Sequence, residues 1–338
     1  MRIRWCVIGA GGIADRRTIP AILEDKDNQL VAVMDTVAET AERVGKKYGA
    51  KYFTSEEEML KSVECDAVYI ATPVFKHYEQ AMLALSYDRH VFVEKPVCLT
   101  AKDGAKLVKA FKDAGKQLEI GYMMKYHNLH LKAKDIIKQD GIGKVNDVRA
   151  QFSCWYPDIP GAWRQNKSLG GGGAVMDLAV HAIELIEDVL EDEITDVKSF
   201  YSTRTFSYEV EDGAVMIFRT KGGVLGHIDV NFNVPDNASV SKFELYGDKG
   251  YIVCEGTLAQ EEKGKLMHLY SPQGDYVAAQ NRTTNEPIVY QGAQSNLYLK
   301  QINNFCKKLR SGKTDYAYTD RAVHVQELVE RIYNDDKR

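Results

Sequence analysis

The chain has no excess of positive charge. Its 44 Lys and Arg stand against 48 Asp and Glu, a net charge of −4, which argues against nucleic acid or an anionic membrane surface as a partner. No stretch approaches the roughly 20 apolar residues that span a bilayer, so no membrane span is expected. Met1-Arg2 runs straight into Ile3-Arg4-Trp5-Cys6-Val7-Ile8. That apolar run is too short for a signal-peptide core and lacks a cleavage-like site. The cysteines, Cys6, Cys65, Cys98, Cys154, Cys254 and Cys306, are scattered with no close pair. This spacing favours reduced thiols in a cytoplasmic setting over a disulfide framework or a zinc site. Internal repeats and low-complexity linkers are also missing.

What remains is the composition of an ordinary globular protein, 44% hydrophobic and 27% charged over 338 residues, long enough for two domains. Residues 3–8, 30–34, 67–71, 91–93 and 117–122 read as buried strands, with helices over 14–24, 38–48 and 102–114. Such alternation predicts an α/β domain, a doubly wound parallel sheet with helices on both faces, over 1–122. The pattern then changes. After a helix over 129–138, alternating strands dominate (148–155, 197–205, 214–219, 224–232 and 243–246), interrupted by one helix over 174–190. Two helical patterns close the chain, 294–309 and 320–333, and these can pack back on the first domain. Residues 123–338 are therefore expected to form an α+β domain with a large, mostly antiparallel open sheet.

Gly9-Ala10-Gly11-Gly12-Ile13-Ala14 has the spacing G-x-G-x-x-A, directly after a strand and before a helix. Gly9 permits the tight turn, Gly11 lets backbone approach a pyrophosphate, and small Ala14 lets helix and strand pack closely. The helix N-terminus then offers N–H groups and partial positive charge to the phosphates. Asp35 ends the second strand, 35 − 14 = 21 residues after the motif's last position. A carboxylate there accepts from the adenosine ribose hydroxyls and repels a 2′-phosphate, which favours NAD over NADP. The competing reading of Asp35 is an N-cap for the next helix, with Thr36 beside it.

Two later segments carry chemistry. Val93-Glu94-Lys95-Pro96-Val97 lies at the C-terminal end of a predicted strand, the edge where doubly wound sheets bind ligands. In Gly170-Gly171-Gly172-Gly173-Ala174-Val175-Met176-Asp177-Leu178-Ala179-Val180-His181, the acid and the histidine are four apart, on one helix face. The glycine run ahead of them allows backbone to approach a ligand.

With these motifs, and with Ala71-Thr72-Pro73 after the fourth strand, the chain resembles the glucose-fructose oxidoreductase/inositol dehydrogenase family of sugar and cyclitol oxidoreductases over nearly its whole length. The resemblance implies an N-terminal Rossmann domain and a C-terminal domain whose large sheet makes a subunit interface, hence a homodimer or larger homo-oligomer. It implies that Lys95, Asp177 and His181 surround a substrate hydroxyl. His181 is then the proton acceptor, Lys95 the partner of the developing alkoxide, and Asp177 the acceptor for a neighbouring hydroxyl. It also implies cofactor contacts from Gly9, Gly11, Gly12, Ile13, Asp35, Thr36, Ala71, Thr72, Pro73, His77, Glu94, Lys95, Trp163 and Arg164. Tyr122, Lys125 and Tyr156 border the substrate in the same reading, although many relatives carry Arg where this chain has Lys125.

Bland readings stand beside these. Lys95 suits a surface lysine, Asp177 and His181 a helix-face ion pair, His77 a helix surface, and Trp163 a core. His127 and His130 are three apart, but no Cys, His or acid completes a metal set, so a solvated helix start is expected and no metal. The function expected is NAD-dependent hydride transfer to or from a secondary hydroxyl of a small sugar, cyclitol or glycoside. A glycoside 3-dehydrogenase that makes a 3-keto sugar with retained, recycled NAD is one alternative, suggested by Trp155, Tyr156 and Trp163 as stacking surfaces. A non-catalytic NAD-binding regulator is another.

Overall fold

The structure, a computed structural model, describes residues 2–276, 278, 285–293 and 295–335. It divides into two compact units. The first comprises Met1–Met123, Ser168–Gly171 and Tyr298–Glu330, and the second Met124–Lys167, Gly172–Leu297 and Arg331–Arg338.

The first unit is built on six parallel strands: β1 (Ile3–Ile8), β2 (Asn28–Met34), β3 (Lys51–Phe53), β4 (Ala67–Ile70), β5 (His90–Val93) and β6 (Leu118–Ile120), in the order β3-β2-β1-β4-β5-β6. This is the doubly wound Rossmann order. All four residues of β4 are buried, as are Val91, Phe92 and Val93 of β5, because helices cover both faces of a parallel sheet. Trp5 and Phe92 pack on Phe305 of the helix Leu297–Ser311, with ring centroids 5.3 and 5.6 Å apart. Gln294, the expected start of that helix, lies outside the described residues.

Edge strand β3 is absent from the sequence reading. It has three residues, two of them exposed, so it shows neither an apolar run nor an alternation. The short helix after it, Glu56–Ser62, starts at Ser55, whose Oγ accepts from Glu58 N at 3.3 Å. Cys6 and Cys65, far apart in sequence, are both buried here and share a thiol–thiol hydrogen bond, while both remain free thiols. Sequence spacing alone had shown no close pair.

In the second unit, eight strands form one open sheet in the order β14-β13-β12-β11-β7-β10-β9-β8. They are β7 (Val145–Ser153), β8 (Ile194–Ser202), β9 (Gly213–Thr220), β10 (Leu225–Asn231), β11 (Lys242–Gly247), β12 (Gly250–Glu255), β13 (Lys265–Tyr270) and β14 (Ile288–Gln291). Every pairing is antiparallel except β7 with β10. The strict alternation of β9 follows from a sheet with one covered face: Ala214, Met216, Phe218 and Thr220 are buried, while Val215, Ile217 and Arg219 are exposed. Helices Asn128–Lys138 and Val180–Leu190 pack with each other and on sheet strands.

Three expectations need correction. The helices expected to start at residues 14 and 174 open instead with widened π-type turns, Ala14–Thr18 and Val175–Ala179, before regular helix begins. Such turns insert a residue into the hydrogen-bond ladder and occur often at functional sites. His127 and His130 are not a solvated helix start; they are 0% and 1% exposed. His127 Nδ1 accepts from Leu129 N, and its Nε2 faces Lys263 O at 3.0 Å; His130 pairs with Met124 O and Thr257 Oγ1. Finally, one helical run, Lys167–Leu190, is long and apolar enough by composition to cross a membrane, and 83% of its most apolar window is buried within the protein. Its buried residues include His181, Glu184, Glu187 and Asp188 as well as apolar ones, so it is a core helix of the second sheet's unit.

Candidate active site

In the first unit, the segments that follow β1, β2, β4 and β5 leave the sheet at its C-terminal edge, because all four strands are parallel. Gly9 follows β1 with φ +83°, and a Cβ there would lie 2.9 Å from the Ala71 carbonyl carbon and from Thr72 Cγ2. Glycine is therefore demanded twice, by conformation and by space. Gly12 has φ +52° with open space around it, so conformation alone demands it.

Gly11 differs. Its φ is ordinary, and a Cβ would meet Thr40 and Asp35 only at contact distance, 3.4 and 3.5 Å. Among the described residues nothing requires glycine at that position, whereas a ligand lying on the backbone would. The residues present fit a dinucleotide on this observation. Asp35 Oδ2 accepts from Gly11 N at 3.1 Å and Oδ1 from Val37 N at 3.0 Å. Val37 holds the N-cap position of the helix Ala38–Tyr48, so Asp35 is tied to the glycine turn rather than capping that helix. Thr36 is exposed beside it, and Ile13 is half-buried at the start of the widened turn.

His77 is 1% exposed, with Nδ1 2.9 Å from Pro96 O and Nε2 2.9 Å from Thr72 O. It thus joins the segment after β4 to the segment after β5. Burial pushes its pKa down to about 4, against the backbone hydrogen bonds that favour the charged ring. The helix-surface reading of His77 does not hold. Glu94 and Lys95, both half-buried, follow β5 directly. Thr18 Oγ1 donates to Tyr69 Oη at 2.9 Å, and Tyr69 donates to Glu94 Oε1 at 2.6 Å. A side-chain chain thereby links the first widened turn to the residue beside Lys95. Tyr69, mid-strand in β4, carries no sequence signal that sets it apart from core. Tyr122 is 2% exposed after β6.

In the second unit, Asp177 sits in the widened turn Val175–Ala179, and His181 lies just inside the helix Val180–Leu190, 5% exposed, with Phe152 set edge-on to its ring at 6.4 Å. Asp177 Oδ1 accepts from Arg164 Nε at 3.2 Å. The Arg164 guanidinium also hydrogen-bonds the Tyr156 hydroxyl and lies 4.4 Å from the Trp163 ring centroid. Trp163, Arg164, Tyr156 and Asp177 form one cluster. Lys125 is buried, its Nζ 3.4 Å from Glu184 Oε1, with side chains 3% and 1% exposed. Among the described residues, no group of three or more His, Cys, Asp or Glu is placed to hold a metal ion.

Two glycines of the run serve the protein's own packing. A Cβ on Gly172 would lie 1.8 Å from Tyr333 Oη, and one on Gly173 would lie 2.0 Å from the Glu211 carbonyl oxygen. Gly172 and Gly173 admit close packing of the protein on itself, where backbone approach to a ligand was expected.

Sheet order and glycine turn define the class: a dinucleotide-binding Rossmann unit joined to a second unit on an open sheet. The profile of the GFO/IDH/MocA oxidoreductase family with an NAD-binding Rossmann fold matches residues 3–122, and that of the GFO/IDH/MocA C-terminal domain matches residues 130–253. The chain belongs to the Gfo/Idh/MocA family of oxidoreductases. Among similar proteins, a 1,5-anhydro-D-fructose reductase of Ensifer adhaerens is 28% identical over 78% of this chain and 79% of its own. A D-glucoside 3-dehydrogenase of Escherichia coli (strain K12) is 24% identical over 98% of this chain and 94% of its own. The crystal structure of an aldose-aldose oxidoreductase from Caulobacter crescentus, complexed with glycerol, shares the fold with a TM-score of 0.87 at 21% identity, covering 100% of this chain and 98% of that one.

Proposed function

We propose that this oxidoreductase moves a hydride between NAD and a secondary hydroxyl or ketone of a small sugar, cyclitol or glycoside. The observation that carries the reading is the anchored acid: Asp177, held by Arg164, which Tyr156 in turn engages, one turn from His181 on the same helical segment. Family membership supports assigning Lys95 to the same reaction.

Oxidising a secondary alcohol means removing the O–H proton while a hydride leaves the same carbon. His181 takes the proton, the role an imidazole most often fills in general base catalysis. Lys95 hydrogen-bonds the oxygen and favours its developing negative charge. Asp177 accepts from the adjacent hydroxyl, which selects a vicinal polyol. Nicotinamide, when bound, supplies or accepts the hydride. Gly9–Ala14 and Asp35 hold the dinucleotide, with Glu94, Thr72 and Pro73 at the same sheet edge. Asp35 favours NAD over NADP because a carboxylate repels a 2′-phosphate.

The similar D-glucoside 3-dehydrogenase supports the glycoside variant with a 3-keto product; retained, recycled NAD belongs to the same proposal. The exposed sheet face of β8, β9 and β10, where Phe200 is 82%, Ile217 60% and Leu225 53% exposed, supports a homodimer or larger homo-oligomer. The free cysteines fit a cytoplasmic setting.

The test is an NADH-absorbance screen of inositols, aldoses, anhydro-sugars and glycosides, with mass spectrometry of the protein as purified to detect retained NAD. Lys95→Ala and His181→Ala should each abolish turnover of the best substrate. Undiminished rates in both would remove the site.

A further inference from the structure

An α-helix leaves its first N–H groups without intrahelical acceptors. At the head of the segment that carries Asp177 and His181, those groups belong to Gly173, Ala174, Val175 and Met176. Two residues take all four. Glu211 Oε1 accepts from Gly173 N and from Val175 N, both at 2.9 Å. The Glu211 carbonyl accepts from Ala174 N at 3.1 Å. Met176 N–H donates to the Tyr333 hydroxyl, which itself donates to Glu211 Oε1 at 2.8 Å. Asp177 N then bonds back to Gly173 O at 3.0 Å, inside the segment.

Burial and space make the arrangement specific. Glu211 is 4% exposed. The missing side chains of Gly172 and Gly173 are the room that Tyr333 and the Glu211 backbone occupy. Tyr333 is itself secured: its ring packs edge-on against Tyr201 at 5.5 Å, and its carbonyl accepts from Tyr201 Oη at 3.4 Å. Because these amides are already used, the helix start has none left for an anion.

We propose that Glu211 and Tyr333 are positioning residues, which fix the rise and rotation of the widened turn Val175–Ala179 and so aim the Asp177 carboxylate and the His181 imidazole. Neither touches substrate. A widened turn is a poor determinant of its own geometry, since its ladder is interrupted, so an external anchor on its first four amides decides where the next side chains point. The inference rests on the reading that Asp177 and His181 act on the substrate.

Glu211→Gln, Glu211→Ala and Tyr333→Phe in the full chain test it, with kcat and KM for the best alcohol measured beside NADH affinity and NADH-binding stoichiometry. Gln keeps the one oxygen that serves all three donors, so Glu211→Gln should stay within about threefold of the parent kcat. Glu211→Ala should lose about 10- to 100-fold in kcat with NADH affinity unchanged, the scale of a misplacement of about 1 Å. Tyr333→Phe, which removes the Met176 acceptor and one Glu211 donor together, should fall between.

A full kcat in Glu211→Ala would overturn the proposal. So would a Gln variant as damaged as the Ala variant, or losses that merely track the fraction of protein able to bind NADH. If Glu211→Ala fails to fold, Tyr333→Phe decides: unchanged kcat at full NADH stoichiometry overturns the proposal, and reduced kcat supports it. His181→Ala run in parallel separates the two readings. If it stays active, the underlying site is wrong; if it is inactive while Glu211→Ala is fully active, only the anchor is wrong.

Discussion

Arg164 Nε lies 3.2 Å from Asp177 Oδ1, in the same cluster as Trp163 and Tyr156. The guanidinium thereby holds the acid in one orientation, and in the proposed reaction that acid accepts from a substrate hydroxyl. An indole beside the guanidinium and a phenol bonded to it restrict the arginine in turn.

Arg164→Leu should therefore weaken the alcohol more than a surface charge change would. We expect kcat/KM to fall by about 10- to 100-fold, equivalent to losing one charge-assisted hydrogen bond of about 1.5–3 kcal/mol. Arg164→Lys should recover only part of this, because an ammonium lacks the planar fork. Steady-state kinetics on the best substrate check it; a leucine variant with parent kcat/KM would detach Arg164 from Asp177 function.

Asp35→Asn should narrow the preference between the two nicotinamide cofactors. The carboxylate's bond to Gly11 N survives in weaker form, while its repulsion of a 2′-phosphate disappears. NAD affinity is expected to fall and NADP affinity to rise, measured by fluorescence titration with both reduced cofactors. An unchanged NAD/NADP ratio would place Asp35 away from the ribose.

Gly9 and Gly11 should respond oppositely to alanine. Gly9→Ala meets backbone at 2.9 Å with φ +83°, so it costs folding stability, about 1–3 kcal/mol. Gly11→Ala meets nothing closer than 3.4 Å and should leave the urea midpoint unmoved while weakening NADH at least about tenfold, by intruding where the pyrophosphate approaches. Equal loss of stability in both variants would mean that Gly11 serves the fold.

Acid should destabilise both units before carboxylates titrate. Burial pushes His77 down to about 4 and His130 down to about 3 from the ordinary 6.5. Both folded values lie below the unfolded one, so the unfolded chain binds protons first. The stability is complete above pH 6.5 and is lost as pH falls toward the folded values. At pH 5 each histidine should have cost about 2 kcal/mol relative to pH 7. Urea midpoints at the two values test this, with His77→Asn flattening the response of the first unit. Identical midpoints at pH 7 and 5 would contradict the buried, neutral state of both rings.

Much of this protein was legible locally. Apolar runs bounded by turn residues announced β1, β2, β4 and β5, because a strand covered on both faces has no polar positions to confuse its pattern. The Gly9–Ala14 turn was legible for a local reason too: the positive φ of Gly9 and Gly12 is a demand of backbone conformation that only glycine meets easily. Edge strand β3, three residues long and mostly exposed, lacked any such pattern. The widened turns escaped notice because they keep helical apolar spacing while changing only the ladder.

Most of the strand and helix succession of the first unit, the glycine turn and the place of Asp35 just after β2 were thus determined by sequence alone, since each depends on neighbours along the chain. Contacts between distant segments decided the rest. Gly172 and Gly173 read like a ligand cradle, yet Glu211 lies 38 residues beyond Gly173, and Tyr333 lies 122 beyond Glu211, so only the folded chain shows that these glycines admit the Tyr333 side chain and the Glu211 backbone. His127 and His130 read as surface for the same reason: the carbonyl and hydroxyl that receive them come from Lys263 and Thr257. Local physics writes periodicity and turns into sequence, but burial and hydrogen-bond partnership are properties of what tertiary packing brings alongside.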